Sequence, residues 1–400
     1  MTSAYEIGRA ITNFSDPSAA SPVARNREQV LALYRDDIGR PVAGLLTPAL
    51  VLDLKAAERN IKKMAQALQS LGTDIRPHIK THKSTDIAQL QVDAGAIGLS
   101  TATLWEAIAL AWEGFDDLFI VNTITQPRKI GLLAALALGR RILVAIDDAG
   151  NAAALSDAAI AVGSRIGVMI EVDTGMDRAG VDSPQEALDL ARQIQGLPGI
   201  GLEGLTGYEG HCALEPSGEL RSQKQQEAMT LFLEAAGLVE SHGIPCPVRS
   251  AAGTVTWRAT ASRDGITEIQ AGTYVLMDGM HSGMISDFEP ALTVATSVIS
   301  RPHGRLIVDA GSKSVADEGT LTWPEIPSLR FDEEHGIFMA ADGLDVPLGA
   351  PLAMIPGYAP STVNAYDAYH VAVDGVVVDI WPIFPRGPGH NGLQSLPHAP

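Results

Sequence analysis

Arg76-Pro77-His78-Ile79-Lys80-Thr81-His82-Lys83 decides how the chain is read, because it closes the first of a series of evenly spaced apolar runs. After the run at 74–79 come Ala96-Ile97-Gly98-Leu99-Ser100, Leu118-Phe119-Ile120-Val121-Asn122 and Ile142-Leu143-Val144-Ala145-Ile146. Further runs lie at 166–172, 202–208, 246–250 and 267–271. Most intervals carry an Ala/Leu-rich helical pattern, as in Leu104 to Trp112, Ala187 to Ile194 and Gln225 to Val239. Eight strands alternating with helices predict an α/β chain built on a (β/α)8 TIM barrel. An open doubly wound sheet has the same rhythm and stays as the alternative. In a barrel, function gathers at the C-terminal strand ends, and Lys80 sits at such an end. There a lysine is well placed to form a Schiff base with a carbonyl cofactor.

Outward from the barrel, residues 1–46 read as an N-terminal arm with one helix, Arg27 to Asp36, whose Val30, Leu31 and Tyr34 share a face. Thr47-Pro48-Ala49-Leu50-Val51-Leu52-Asp53 is a strand-like entry that opens a barrel over 47–288 or joins the later β domain. The helix after it, with Ile61, Met64, Ala65, Leu68 and Leu71 at helical spacing, is expected to stop at Gly72. Residues 289–400 change texture and predict a C-terminal, mostly β domain. Its strand material includes Leu292 to Ile299, Arg305 to Asp309, and a hairpin over 370–378 turning at Asp374-Gly375. The Pro/Gly-rich stretch from Pro385 to Pro400 reads as a tail or lid.

The chain has 400 residues and a formal charge of −18, which opposes binding to nucleic acid or an anionic membrane. Cys212 and Cys246 are too few for a disulfide framework. The start of the chain lacks the pattern of a secretory signal, and no apolar run reaches spanning length. These features predict a cytoplasmic location.

At the other predicted strand ends stand Asp173 to Arg178, Tyr208-Glu209-Gly210-His211, Ser250-Ala251-Ala252-Gly253-Thr254 and Gln270-Ala271-Gly272-Thr273-Tyr274. The last two are small-residue loops whose backbone N–H groups can approach an anion closely, where barrels commonly hold a phosphate. Taken singly, each has an ordinary explanation: a solvated lysine, a turn, an arginine paired at the surface. Their convergence on the strand ends of one barrel favours a site.

With these residues in view, the chain resembles the D-threonine aldolase and D-serine dehydratase group of alanine racemase-like (fold type III) pyridoxal-phosphate enzymes. The resemblance rests on Arg76 to Lys83, Glu171 to Val181, Gln270 to Asp278, Val308 to Lys313, Glu334-His335-Gly336 and Thr362-Val363-Asn364 ahead of Asp367. It implies that Lys80 carries pyridoxal 5'-phosphate, with Lys83 structural or at the surface. It also implies that Ser250, Gly253, Thr254, Gly272 and Thr273 hold the phosphate. Arg178 would approach the phenolic oxygen, Tyr208 would line the ring or substrate, and Gln270 would face the pyridine nitrogen. His78 and Tyr274 complete the expected cofactor set. A homodimer is expected on the same ground.

One departure matters for chemistry. The group's segment Pro-Gly-His-x-(Cys/Asp) supplies a divalent-metal pair; here it reads Pro356-Gly357-Tyr358-Ala359-Pro360. Neutral tyrosine is a poor ligand and proline offers none, so the usual metal site is expected to be absent. His211, His370 and His390 are the residues from which a rearranged site could be drawn. The expected function is action at Cα of a D-amino acid or β-hydroxy-amino acid substrate, as a D-threonine aldolase-like lyase without the usual metal ligands. A metal-independent racemase or transaminase using Lys80 and Tyr358 as an acid/base pair is the alternative. A pyridoxal-phosphate-binding protein without turnover is a reading of another class, against which the β domain argues.

Overall fold

A computed structural model describes residues 21–302, 304–323, 325–340 and 344–389. Eight parallel strands form one sheet: Asp74–Ile75, Leu99–Thr101, Asp117–Ile120, Arg141–Ile146, Ile166–Val172, Ile200–Gly207, Val248–Ala251 and Glu268–Ile269. The last strand pairs with the first. The remaining seam is bridged by Ile97 N–H to Ile75 O at 3.0 Å, Ser100 N–H to Pro77 O at 2.9 Å and the pairing of His78 with Ser100. The sheet curls into a barrel, which sets aside the open doubly wound arrangement.

Alternation along the strands sorts the side chains. Leu118, Ile120, Ile142, Val144, Ile146, Val168 and Ile170 pack under the helices, while Phe119, Leu143, Ala145 and Met169 form a separate cluster inside the barrel. Each such burial contributes about 1.5–3 kcal/mol. Near the strand starts, buried Arg76 pairs with Glu268 at 3.1 Å and Asp117 at 2.5 Å, so the enclosed charge is matched.

The helix Leu54–Leu71 begins where Asp53 Oδ1 accepts the Ala56 N–H, and it ends at Gly72 with φ 71°, the expected stop. The N-terminal helix runs Pro22–Tyr34, followed by a 3-10 turn at Arg35–Asp37, rather than 27–36. Ser21 as cap and Pro22 in the first turn move its start earlier.

The second sheet has nine strands. Ala49–Asp53 lies within it, antiparallel to Leu292–Ser300 and parallel to Ala368–Val373. The hairpin Ala368–Val373/Val376–Pro382 turns at Asp374 and Gly375, both with positive φ (51° and 79°), as a tight two-residue turn demands. This sheet is tied to the barrel mouth. Tyr369 Oη donates to His82 O at 2.7 Å, Met280 N–H to Gly357 O at 3.0 Å, and Ala359 N–H to Asp278 Oδ2 at 2.9 Å. The first part of the expected tail packs down, with Lys83 Nζ on Pro385 O at 3.0 Å and Gly387 N–H on Asn364 Oδ1 at 2.8 Å. Residues 390–400, including His390, lie outside the described residues. No helix among the described residues is long and apolar enough to cross a membrane.

Candidate active site

A cavity of about 500 Å³ opens at the barrel mouth, where the segment around Tyr358 meets it. Lys80, His78, Arg178, Tyr208, Gly253, Thr254, Gln270, Gly272, Thr273 and Tyr358 all line it. Of the expected site residues, Ser250 and Tyr274 stand behind the wall. Both are buried, Ser250 bonded to Glu268 and Gln270, and Tyr274 Oη accepting from Gln91 Nε2 at 3.0 Å.

Lys80 sits in the 3-10 turn Ile79–Thr81, which His78 caps by accepting the Lys80 N–H on Nδ1 at 3.3 Å. Burial, reinforced by the nearby Arg178 charge, lowers the lysine's pKa, and Lys80 has no ion-pair partner among the described residues. Desolvated, unpaired lysine amines are good nucleophiles. Burial drives the His78 imidazole well below its usual range, so it is neutral. Lys83 is structural: its ammonium is enclosed with Glu106 Oε1 at 2.6 Å.

Arg178 is delivered by a loop wound around Asp173, which accepts N–H bonds from Gly175, Met176 and Arg178 at 2.7–3.2 Å. Its guanidinium lies 5.6 Å, and the Lys80 ammonium 5.8 Å, from the centre of the Tyr208 ring. Burial pushes the Tyr208 phenol up to about 12.

The two small-residue loops fit a phosphate. Ala252 takes φ 69°, and Gly272 lies so near the lysine turn that a Cβ would stand 2.5 Å from His78 O. Among the described residues the N–H groups of Thr254, Gly272 and Thr273 have no partner within the chain. Unclaimed backbone donors beside glycines make an anion cradle. Gln270 is held by its amide nitrogen, which donates to Thr206 Oγ1 at 2.9 Å and Ser250 Oγ at 2.8 Å.

Tyr358 caps the short helix Ala359–Val363 and is half-buried. Burial, then the carboxylates of Asp278 and Asp317, raise its pKa. The donors near it do not fit a metal pair: Pro360 has no donor, and among the described residues no group of three or more His, Cys, Asp and Glu side chains is placed to hold an ion. His211 lies against Gly175, and His370 pairs with Asp37 at 3.1 Å. Neither lines the cavity.

Three titratable lining residues were not singled out as site residues from sequence: Glu171, His281 and Asp317. Glu171 pairs with Arg178 at 3.3 Å, and burial raises its pKa. It begins the quoted motif, and an acid seven residues before the arginine was the available signal. His281 lies three residues after Asp278, the spacing of one helical turn.

A barrel with this lysine at its mouth, an anion cradle on the last two strands and a capping β domain defines a fold type III pyridoxal-phosphate enzyme. The sequence matches the family "Alanine racemase, N-terminal domain" over residues 52–279 and a serine dehydratase domain over 291–372. It is 35% identical to the D-threonine aldolase of Arthrobacter sp over 359 residues, 87% of this chain and 95% of that protein. It is 32% identical to the 3-hydroxy-D-aspartate aldolase of Paracoccus denitrificans over 88% of this chain and 95% of that one. The crystal structure of D-threonine aldolase from Filomicrobium marinum superposes with a TM-score of 0.84 at 31% identity, covering 88% of this chain and 98% of that chain. The chain therefore belongs to the D-threonine aldolase and D-serine dehydratase-like family of alanine racemase-type enzymes, and it is an aldolase-like lyase of the pyridoxal-phosphate class.

Proposed function

We propose that this enzyme cleaves the Cα–Cβ bond of a β-hydroxy-D-amino acid in a retro-aldol reaction, without a metal ion at the hydroxyl. The observation that carries this reading is one cavity joining Lys80 and the Gly272–Thr273 cradle to Tyr358, which stands where the family segment has its first metal ligand. Bound pyridoxal phosphate supplies the electron sink for the breaking bond. Thr254, Gly272 and Thr273 offer their N–H groups to its phosphate, with Gly253 admitting close approach. Lys80 would hold the cofactor, and its desolvated amine is the base placed to move a proton at Cα. Arg178 places a positive charge in the cavity beside Tyr208, and its charge is balanced by Glu171. Tyr358, kept protonated by burial and by Asp278 and Asp317, donates a hydrogen bond or proton at neutral pH.

Racemisation or transamination has one supporting observation: a lysine and a tyrosine share the cavity, as two-base exchange at Cα requires. Product analysis separates the readings. Holoenzyme given D-threonine, D-serine and D-alanine should release glycine and acetaldehyde from D-threonine. L-Alanine, or a keto acid formed together with pyridoxamine phosphate, with D-threonine intact, would overturn the lyase in favour of the second reading, whereas pyruvate with ammonia from D-serine is itself a lyase product. A homodimer and a cytoplasmic location belong to the same proposal, and sedimentation of the holoenzyme tests the first.

A further inference from the structure

We propose that His281, oriented by Asp278, is the general base that takes the β-hydroxyl proton, in the role the family gives to its metal ion; this rests on the retro-aldol reading above. Asp278 is completely buried. Its Oδ1 accepts from His281 Nδ1 at 2.7 Å and from the His281 N–H at 2.9 Å, while Oδ2 accepts from Ala359 N–H at 2.9 Å. A carboxylate can only accept, so Nδ1 carries the proton and the lone pair of the neutral ring is on Nε2. Among the described residues Nε2 has no hydrogen-bond partner, and His281 lines the cavity. A buried acid fixing the tautomer of a histidine whose far nitrogen is unengaged is the arrangement of a general base.

Its location matches the role. The His281 and Tyr358 rings lie nearly parallel, 14° apart with centroids at 6.4 Å. The short helix carrying His281 is clamped to the Tyr358 segment by Met280 N–H on Gly357 O at 3.0 Å. The base thus abuts the position where the family segment holds its metal pair. The charged and titratable groups around it are Asp278 on its own helix, Tyr358 and Asp317 from the β domain, and Arg221, which bonds Met284 O at 3.0 Å beyond the helix. Tyr358 is the poorer base, because burial and the two carboxylates hold its proton on.

In the proposed step the β-hydroxyl proton moves to His281 Nε2 and the O–H electron pair forms the aldehyde C=O. The Cα–Cβ bond breaks, and its pair remains on the Cα side until Cα takes a proton. The aldehyde leaves, and Nε2 returns its proton to solvent. No oxidant or reductant is consumed.

The test uses chelator-treated holoenzyme and D-threonine. His281→Gln, which keeps an N–H toward Asp278, should lower kcat by about 10²–10⁴-fold with KM nearly unchanged, and should lose the acid limb of the kcat–pH profile. Cofactor absorbance should match wild type. A kcat within about threefold of wild type would overturn the inference. So would a wild-type enzyme that cleaves only with added metal. A wild-type enzyme that cleaves nothing under either condition would overturn the retro-aldol reading itself, and with it the inference. Independently of any variant, ¹⁵N-histidine NMR of the wild-type protein should show His281 with its proton on Nδ1; the Nε2–H tautomer would also overturn the assignment.

Discussion

Gln270 donates its amide N–H to Ser250 Oγ at 2.8 Å, and the direction of that bond is forced from beneath the site. Arg76 can only donate to Glu268, which can only accept; the single Ser250 proton therefore goes to Glu268 Oε1 at 2.8 Å. The serine oxygen is left to accept from Gln270, whose carbonyl becomes the amide atom free for a ligand. Ser250→Ala removes the middle link and leaves the part-buried Gln270 donor and the buried Glu268 acceptor each short of one partner. Chemical denaturation should show a loss of about 1–3 kcal/mol, with a shifted cofactor absorbance because Gln270 can then rotate.

Acid should weaken the fold through two buried imidazoles. Burial holds His82 down at about 3 and His78 well below its usual range. Below about pH 6.5 the unfolded chain protonates both while the folded chain protonates neither, so the unfolded state binds more protons and stability falls as pH falls. Denaturation at pH values from 7 down to about 4 should give a slope of up to about 1.4 kcal/mol per unit for each histidine. In His82→Gln, one share of that slope should be missing.

Gly272→Ala should empty the cofactor site. Its Cβ would lie 2.5 Å from His78 O and 3.1 Å from Thr81 Oγ1, so the loop must move away from the lysine turn. Equilibrium dialysis against pyridoxal phosphate should show affinity lowered at least about tenfold, equal to about 1.4 kcal/mol. Unchanged affinity would remove this loop from the cradle.

Tyr358→Phe keeps the ring stack on His281 and deletes the phenol. Turnover of D-threonine should drop about 10–100-fold, since a positioned proton donor contributes on that scale or above. Full activity would leave Tyr358 a packing residue.

Much of the barrel was legible where a strand is a short apolar run, buried on both faces and bounded by turn residues. Ile142 to Ile146 and Ile166 to Val172 read directly from sequence for that reason. The strands Gly319–Thr322, Glu325–Phe331, Gly336–Met339 and Pro351–Pro356 were not read. Glu325–Phe331 is exposed or half-exposed throughout and holds Glu, Pro, Ser and Arg, so its pairing is set by neighbours rather than by its own apolar pattern. The lysine, the cradle and Tyr358 were visible as motif residues. His281 was not, because its role depends on Ala359 holding Asp278 from 81 residues away.

The measurement that bears most directly on this account is proton NMR of chelator-treated holoenzyme with D-threonine, before and after adding Mn²⁺. The predicted result is glycine and acetaldehyde at a rate the metal leaves unchanged. Intact D-threonine until Mn²⁺ is added, followed by cleavage, would contradict it and would mean that this cavity assembles a metal site from donors other than Tyr358 and Pro360.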